Sequence, residues 1–306
     1  PLGDSGLLVP EIGFGCGPTA GLMISGDERE QVAVVAAAIE QGVRYFDTAA
    51  RYGDGRSERN LGRALRALST SAIVATKVTI EDRDLDDIAG AVVASVEASL
   101  GRLGMEAVAI VHLHNRVGGR RAAKADQGSG ILLSVDDVLG PKGVADGFER
   151  LRRRGLVEHV GGCGFGGEMP ALAQVTAAGV FDSLLVNYSM INPSAFEPAT
   201  VPVDPDYRGI GSKAAGAGMG IVALRVLEGG LLTGRSPDPA AGHLAFVLDE
   251  CETLTEAAVR HALSNPAVST VLVGISDRSQ LDAAVVAAKR GALPKPLLDR
   301  IRSRDR

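Results

Sequence analysis

Four side chains of different acid–base character stand in the first 114 residues. Asp47 and Tyr52 lie in YFDTAARYGDGRSE (45–58), Lys77 in IVATKV (73–78) and His114 in AIVHLHN (109–115). Together they suit proton transfer to a carbonyl or alcohol oxygen. A phenol titrates near 10, too high for efficient acid–base work at neutral pH. A lysine ammonium beside it favours the phenolate and lowers that value. An aspartate would keep the lysine charged and in place, and an imidazole can orient the reacting oxygen through a hydrogen bond. Each residue alone has a plainer reading: a turn aspartate, a snorkelling lysine, a core histidine. The set carries meaning only if the fold brings it to one place.

The elements that would do so are visible as short β-branched runs alternating with longer amphipathic stretches. Strands are expected at 12–17, 44–47, 73–78, 107–114, 159–165, 183–188, 220–226 and 269–275. Helices are expected at 27–41, 57–68, 85–103, 144–154, 169–178, 205–216, 254–264 and 278–289. Strands alternating with helices imply βαβ units and a parallel sheet. Eight units in a chain of 306 residues point to an α/β fold, a (β/α)8 TIM barrel formed as one domain over 1–306, with its active site at the C-terminal ends of the strands. Asp27 with Glu30 reads as a capping box, Gly42 as a left-handed C-cap, and Ser57-Glu58, Thr255 and Asp277 as later helix starts. A doubly wound sheet would need a glycine fingerprint opening a helix. GFGCGPTAG carries Gly13, Gly15 and Gly17 but no helix begins there.

On this frame Asp47 ends strand 2 with Tyr52 in the loop beyond it, Lys77 is near the end of strand 3, and His114 tops strand 4. Side chains alternate along a strand, so Ile110, His112 and His114 share a face, with His112 one layer below His114. Two long segments, 115–143 and 227–243, leave the same rim and are expected to be functional.

The composition narrows the partners. A net charge of −5 gives no basic footprint for nucleic acid. No apolar run approaches the length of a membrane span, and no charged and apolar leader is visible. The three thiols, Cys16, Cys163 and Cys251, are far apart and suit a reducing cytoplasm. Neither they nor the pair His112 and His114 have metal-ligand spacing, so no metal is expected. Four Tyr, seven Phe and no Trp leave few rings to line a steroid-like pocket, which favours a small polar substrate.

YFDTAARYGDGRSERNLGRAL, IVATKV and EAVAIVHLHN resemble the aldo-keto reductase superfamily. So do GLLVPEIGFGCG at the first strand, GGLLTG after strand 7 and NPAVSTVLVGISDRSQL in the last βα unit. The resemblance follows the chain in order over nearly its whole length. It implies an NAD(P)-dependent oxidoreductase acting on an aldehyde, a ketone or an aldose hemiacetal. Tyr52 would be the general acid or base, Lys77 its activator, Asp47 the lysine's partner and His114 the carbonyl orienter.

The cofactor region departs from the family's pattern. Cys163-Gly164 stands where Ser-Asn is usual, Leu185 where a glutamine is usual, and Leu224 where an aromatic often stacks on the nicotinamide. Asn187 and Tyr188 are expected to compensate. The loop Gly229-Gly230-Leu231-Leu232-Thr233-Gly234 keeps the form that lets backbone N–H groups approach a pyrophosphate. After strand 8, Gly274, Ser276, Asp277, Arg278 and Gln280 would face the adenosine ribose. Arg278 and Ser276 suit a 2′-phosphate, Asp277 repels one, and Gln280 replaces a common arginine. The balance favours NAD over NADP. The long loop with Arg116, Arg120 and Arg121 resembles the branch that oxidises free sugars or reduces small aldehydes. Two other functions fit parts of the sequence: a non-catalytic cofactor-binding sensor or subunit on the same fold, and a Schiff-base aldolase with Lys77 as nucleophile.

Overall fold

Eight β-branched runs form the eight parallel strands of a closed barrel in the computed structural model, which describes residues 1–122, 130–198, 202–234 and 239–303. They are β1 Ile12–Gly15, β2 Tyr45–Asp47, β3 Ile73–Val78, β4 Val108–Leu113, β5 Val157–Cys163, β6 Ser183–Asn187, β7 Gly220–Leu224 and β8 Val268–Gly274. Neighbours in sequence are neighbours in the barrel, and β1 closes it by pairing with both β2 and β8. The register that matters for the site is Gly15 beside Asp47, Asp47 beside Ala75, and Lys77 beside His112. Further round, Cys163 stands beside Leu185, and Asn187 beside Leu224.

The surrounding helices are α1 Glu28–Glu40, α2 Arg56–Ala67, α3 Ile88–Leu103, α4 Val144–Arg153, α5 Met169–Ala177, α6 Ile210–Gly216, α7 Leu254–Leu263 and α8 Arg278–Lys289. A further helix, α9 Lys295–Ser303, buries Leu297 and Ile301. The main core lies between barrel and helices. A second cluster, of Leu2, Tyr45, Ala75, Ile110, Cys163, Leu185 and Val222, fills the barrel itself. No described helix is long and apolar enough to cross a membrane.

Several boundaries differ from the sequence reading for local reasons. Helix α6 begins at Ile210 rather than 205, because Arg208 (φ 47°) and Gly209 (φ 68°) are left-handed. Helix α2 begins after left-handed Gly55 with no side-chain cap. Ser57 is used elsewhere: its hydroxyl donates to the Cys16 carbonyl at 2.9 Å and meets the Thr48 hydroxyl at 2.8 Å. Thr253, not Thr255, caps α7 by accepting from Glu256 N–H. Asp27 and Asp277 do cap α1 and α8. The 115–143 segment, in its described parts, contains a parallel ribbon of Val117–Gly118 with Leu133–Ser134 and a short helix, Val135–Leu139. The 227–243 segment includes a 3-10 turn, Glu228–Gly230.

Candidate active site

The four ionisable groups reach the barrel mouth by different local devices. Asp47 is the last residue of β2 and faces inward. The chain then turns through Gly53 (φ 60°), Asp54 (φ 52°) and Gly55 (φ 77°). A side chain at Gly55 would strike Arg102 and one at Gly53 would strike Ile24, which explains the Gly-Asp-Gly sequence. The tight loop leaves Tyr52 half-buried above Asp47. Lys77 projects from β3. His114 follows β4, and its N–H donates to the Val78 carbonyl at 2.8 Å, so it stays in the strand's register.

Lys77 Nζ forms a short ion pair with Asp47 Oδ1 and donates to the Thr48 carbonyl at 2.8 Å. The same ammonium sits 4.8 Å from the centre of the Tyr52 ring. Tyr52 and His114 meet edge-on, with ring centres 5.9 Å apart. Asp47, Lys77 and His114 are buried. The structure therefore brings together all four residues that the spacing singled out.

Electrostatics in this confined space follow burial first. Burial opposes charge on Lys77, but Asp47 beside it holds the ammonium above the ordinary lysine range. Burial also raises the Asp47 carboxyl despite Lys77. Burial pushes the Tyr52 phenol up and outweighs the lowering effect of Lys77. This corrects the expectation of a net depressed phenol: the lysine acts in the expected direction but does not win. Tyr52 is thus protonated at neutral pH. Burial, with Lys77 and Arg51 adding to it, holds His114 down to about 3, so its ring is neutral. Its Nδ1 is buried without a hydrogen-bond partner. His112, one layer below, is likewise held neutral by burial, and its Nε2 meets the Ser183 hydroxyl at 3.0 Å.

Sequence reasoning missed several residues that build this site. Glu58 is buried on α2, accepts from the Thr76 hydroxyl and pairs with Arg102, so it ties the Tyr52 loop to β3. The available signal was a charge at a position of α2 that faces inward with Leu61 and Leu65. Phe165 stands edge-on to His114 at 6.4 Å. An Arg51–Glu81 ion pair bridges the loops after β2 and β3. Asn115 locks the rim by accepting from Ile80 N–H at 2.7 Å and donating to the Ile80 and Ile131 carbonyls.

The cofactor candidates fall into distinct places. Cys163 is buried inside the barrel and its thiol is pushed up by burial. A Cβ at Gly164 would sit 3.0 Å from the Leu184 side chain, a tight fit that needs that neighbour to give slightly. Leu185 lines the interior and Leu224 packs against it. Asn187 donates from Nδ2 to the Tyr207 hydroxyl at 2.7 Å, while its Oδ1 is buried and unpartnered. Tyr188 does not belong with these. It points away from the barrel axis, as period two requires of the residue after Asn187, and packs against Phe196 and His261 in the helical layer. Gly229, Gly230 and Gly234 have positive φ, and nothing lies within 4 Å of where a side chain would project. Leu231 is exposed, and the Thr233 hydroxyl bonds the Gly230 carbonyl at 2.7 Å.

At the end of β8, Gly274 lies close to Ala20 of the first loop. Asp277 accepts from Gln280 N–H at 3.0 Å and from the hydroxyls of Ser279 and Ser276. The Gln280 side chain in turn accepts from Ser276 N–H. Arg278 pairs with Asp282 at 2.8 Å on the outer face of α8. Of the three loop arginines, Arg121 is committed to both oxygens of Asp137, Arg116 lies over Gly166, and Arg120 is exposed. Among the described residues no group of three or more His, Cys, Asp or Glu side chains could hold a metal ion.

The open glycine backbone after β7 and the orphan oxygen of Asn187 are chemically suited to a dinucleotide. Comparison with known proteins gives the family. The aldo/keto reductase family profile matches residues 11–306. The chain is 27% identical over 310 residues to L-galactose dehydrogenase of Arabidopsis thaliana, across 94% of this chain and 86% of that protein. It is 25% identical over 321 residues to D-threo-aldose 1-dehydrogenase of a Pseudomonas species, across 90% and 88% of the two chains. In fold it matches an aldo-keto reductase from Bacillus halodurans solved in its holo form, with a TM-score of 0.75 and 22% identity over 100% of this chain and 95% of that one. The chain belongs to the aldo/keto reductase family of NAD(P)-dependent oxidoreductases.

Proposed function

We propose that this protein interconverts an aldose hemiacetal or small polar aldehyde and its oxidised or reduced partner, with Tyr52 as the general acid or base. The observation that supports this most is the convergence of Tyr52, Lys77 and His114 on one point at the barrel mouth, with Lys77 anchored by Asp47. When bound, the nicotinamide supplies or accepts the hydride. Tyr52 hydroxyl, protonated at neutral pH, donates its proton to the carbonyl oxygen in the reducing direction. In the oxidising direction it must first lose that proton, and Lys77 stabilises the resulting phenolate. Neutral His114 hydrogen-bonds the same oxygen and fixes its orientation without competing for the proton. Asp47 keeps Lys77 charged and aimed.

The residues that would hold the cofactor are Gly230, Leu231 and Thr233 for its pyrophosphate, Asn187 for the carboxamide, and Gly274, Ser276, Asp277 and Gln280 for the adenosine ribose. Cys163 contributes the strand end rather than a polar side chain. Asp277 presents a carboxylate where a 2′-phosphate would sit, and Arg278 is turned to Asp282, so NAD is the preferred cofactor. The sugar reading is supported by the names of two relatives similar along most of their length and by the scarcity of aromatic side chains. Absorbance assays with NAD and NADP against aldoses and small aldehydes test it. Turnover of aldoses with NAD is the expected result, and turnover of apolar ketones alone would reject the substrate class. The apolar Leu185 and Leu224 favour a second reading, a cofactor-binding sensor. It predicts tight nicotinamide binding with no turnover across the panel.

A further inference from the structure

The sealed interior of the barrel holds a phenol for which the proposed reaction has no direct use. Tyr45 opens β2 and shares the inward face with Asp47, two residues on and about 7 Å along the strand. Its ring is accommodated because β1 offers Gly13 beside it, where any Cβ would stand 2.6 Å from Tyr45 Cδ1. Leu2 closes the barrel below. Tyr45 is fully buried, yet its hydroxyl has no hydrogen-bond partner within the protein. Nor has Oδ2 of Asp47, whose Oδ1 is taken by Lys77. A phenol is a donor and a carboxylate accepts only, so the two orphans are complementary, but they lie beyond direct bonding distance of each other. Buried polar groups are rarely left unpaired, and an internal water with two to four polar partners is the usual remedy. The neighbour of Asp47 on β3 is Ala75, a small residue.

We propose that Tyr45 is a positioning residue: its hydroxyl holds one internal water that donates to Asp47 Oδ2 and so fixes the carboxylate toward Lys77. The functional half of this rests on the reading of Asp47 and Lys77 as the pair that supports Tyr52. The groups facing Asp47 are Cys16 after β1, Tyr52 in the loop, Lys77 on β3 and Cys163 on β5, while His112 and His114, on and after β4, and Arg51 in the loop after β2 stand round Lys77 and His114. Burial keeps both thiols and both imidazoles neutral, and Lys77 supplies the cation. Asp47 is then the group of this cluster that takes up a proton on the acid side. A donor on Oδ2 stabilises the carboxylate, so removing it raises the proton affinity of Asp47.

The test uses the full chain. A high-resolution crystal structure of the wild type should show an ordered water within hydrogen-bond distance of both Tyr45 Oη and Asp47 Oδ2. Tyr45→Phe should move the acid limb of kcat/KM against pH upward by about half to one unit, with the alkaline limb unmoved. A wild-type structure in which no water joins the two atoms overturns the site, and it decides the matter alone if Tyr45→Phe does not fold. An unmoved acid limb in a folded Tyr45→Phe protein overturns the positioning role. Failure of the catalytic reading is separate: Tyr52→Phe would then stay active while the water remained in place.

Discussion

Replacing Lys77 with methionine is the most informative single perturbation of stability. The change keeps the volume and removes one charge from a buried pair. Unit charges about 3 Å apart attract by roughly 5–6 kcal/mol at an effective dielectric constant of about 20. Water entry or protonation of Asp47 recovers part of that. The expected net loss is about 3–5 kcal/mol at pH 7, the usual cost of leaving one member of a buried pair alone. The pH dependence carries the signature. Without Lys77, the folded pKa of Asp47 rises further above its unfolded value near 3.9. The penalty is then present in full above that raised pKa and disappears as pH falls toward the unfolded value. Urea denaturation of the wild type, Lys77→Met, Asp47→Asn and the double variant at pH 7 and pH 5 measures it. The double variant should be much more stable than the sum of the single losses implies, with a coupling above about 2 kcal/mol. A loss below about 1 kcal/mol for Lys77→Met, with the same pH dependence as wild type, would refute the buried ion pair.

Burial also holds His114 down to about 3 and His261 to about 4, so both must be neutral in the folded state and charged after unfolding below about 6.5. Their stabilising effect is whole above the unfolded pKa and lost as pH falls toward the folded values, about 2 kcal/mol each at pH 5; urea midpoints that do not fall between pH 7 and pH 5 would contradict this. Gly62→Ala places a Cβ 2.0 Å from the Leu103 carbonyl oxygen, forcing α2 from α3, and should cost about 1–3 kcal/mol in thermal or urea unfolding. Asp277→Ser keeps a cap on α8 but removes the charge beside the proposed ribose site. It should raise the NADP-to-NAD ratio of kcat/KM about tenfold, on the scale of one charge-assisted hydrogen bond, and an unmoved ratio would remove the β8 end from the ribose site.

Strand positions were legible because β-branched runs bounded by glycine and charged residues recur at the spacing of βα units. The rim was legible for the same reason: with Asp47, Lys77 and His114 at three successive strand ends, the topology alone brings them together. Tyr188 was misplaced although the period-two rule that places Asn187 toward the mouth sends its neighbour outward. The net direction of the Tyr52 shift was not legible, since a sequence names the neighbouring charge but not the depth of burial. Phe165 beside His114 and the Arg51–Glu81 bridge depend on contacts between separate elements, which no local pattern encodes. Helix α9 was overlooked although Leu297 and Ile301 stand four apart and Pro296 suits a first helical turn.

The central claim is that the Tyr52 hydroxyl moves the proton, and Tyr52→Phe tests it with nothing else removed. Side-by-side measurement of steady-state turnover and of nicotinamide binding by calorimetry separates chemistry from binding. The account predicts that kcat falls by about 10²–10⁴-fold while the dissociation constant of the cofactor stays within a few fold of wild type. Turnover near the wild-type rate with unchanged cofactor binding would contradict it.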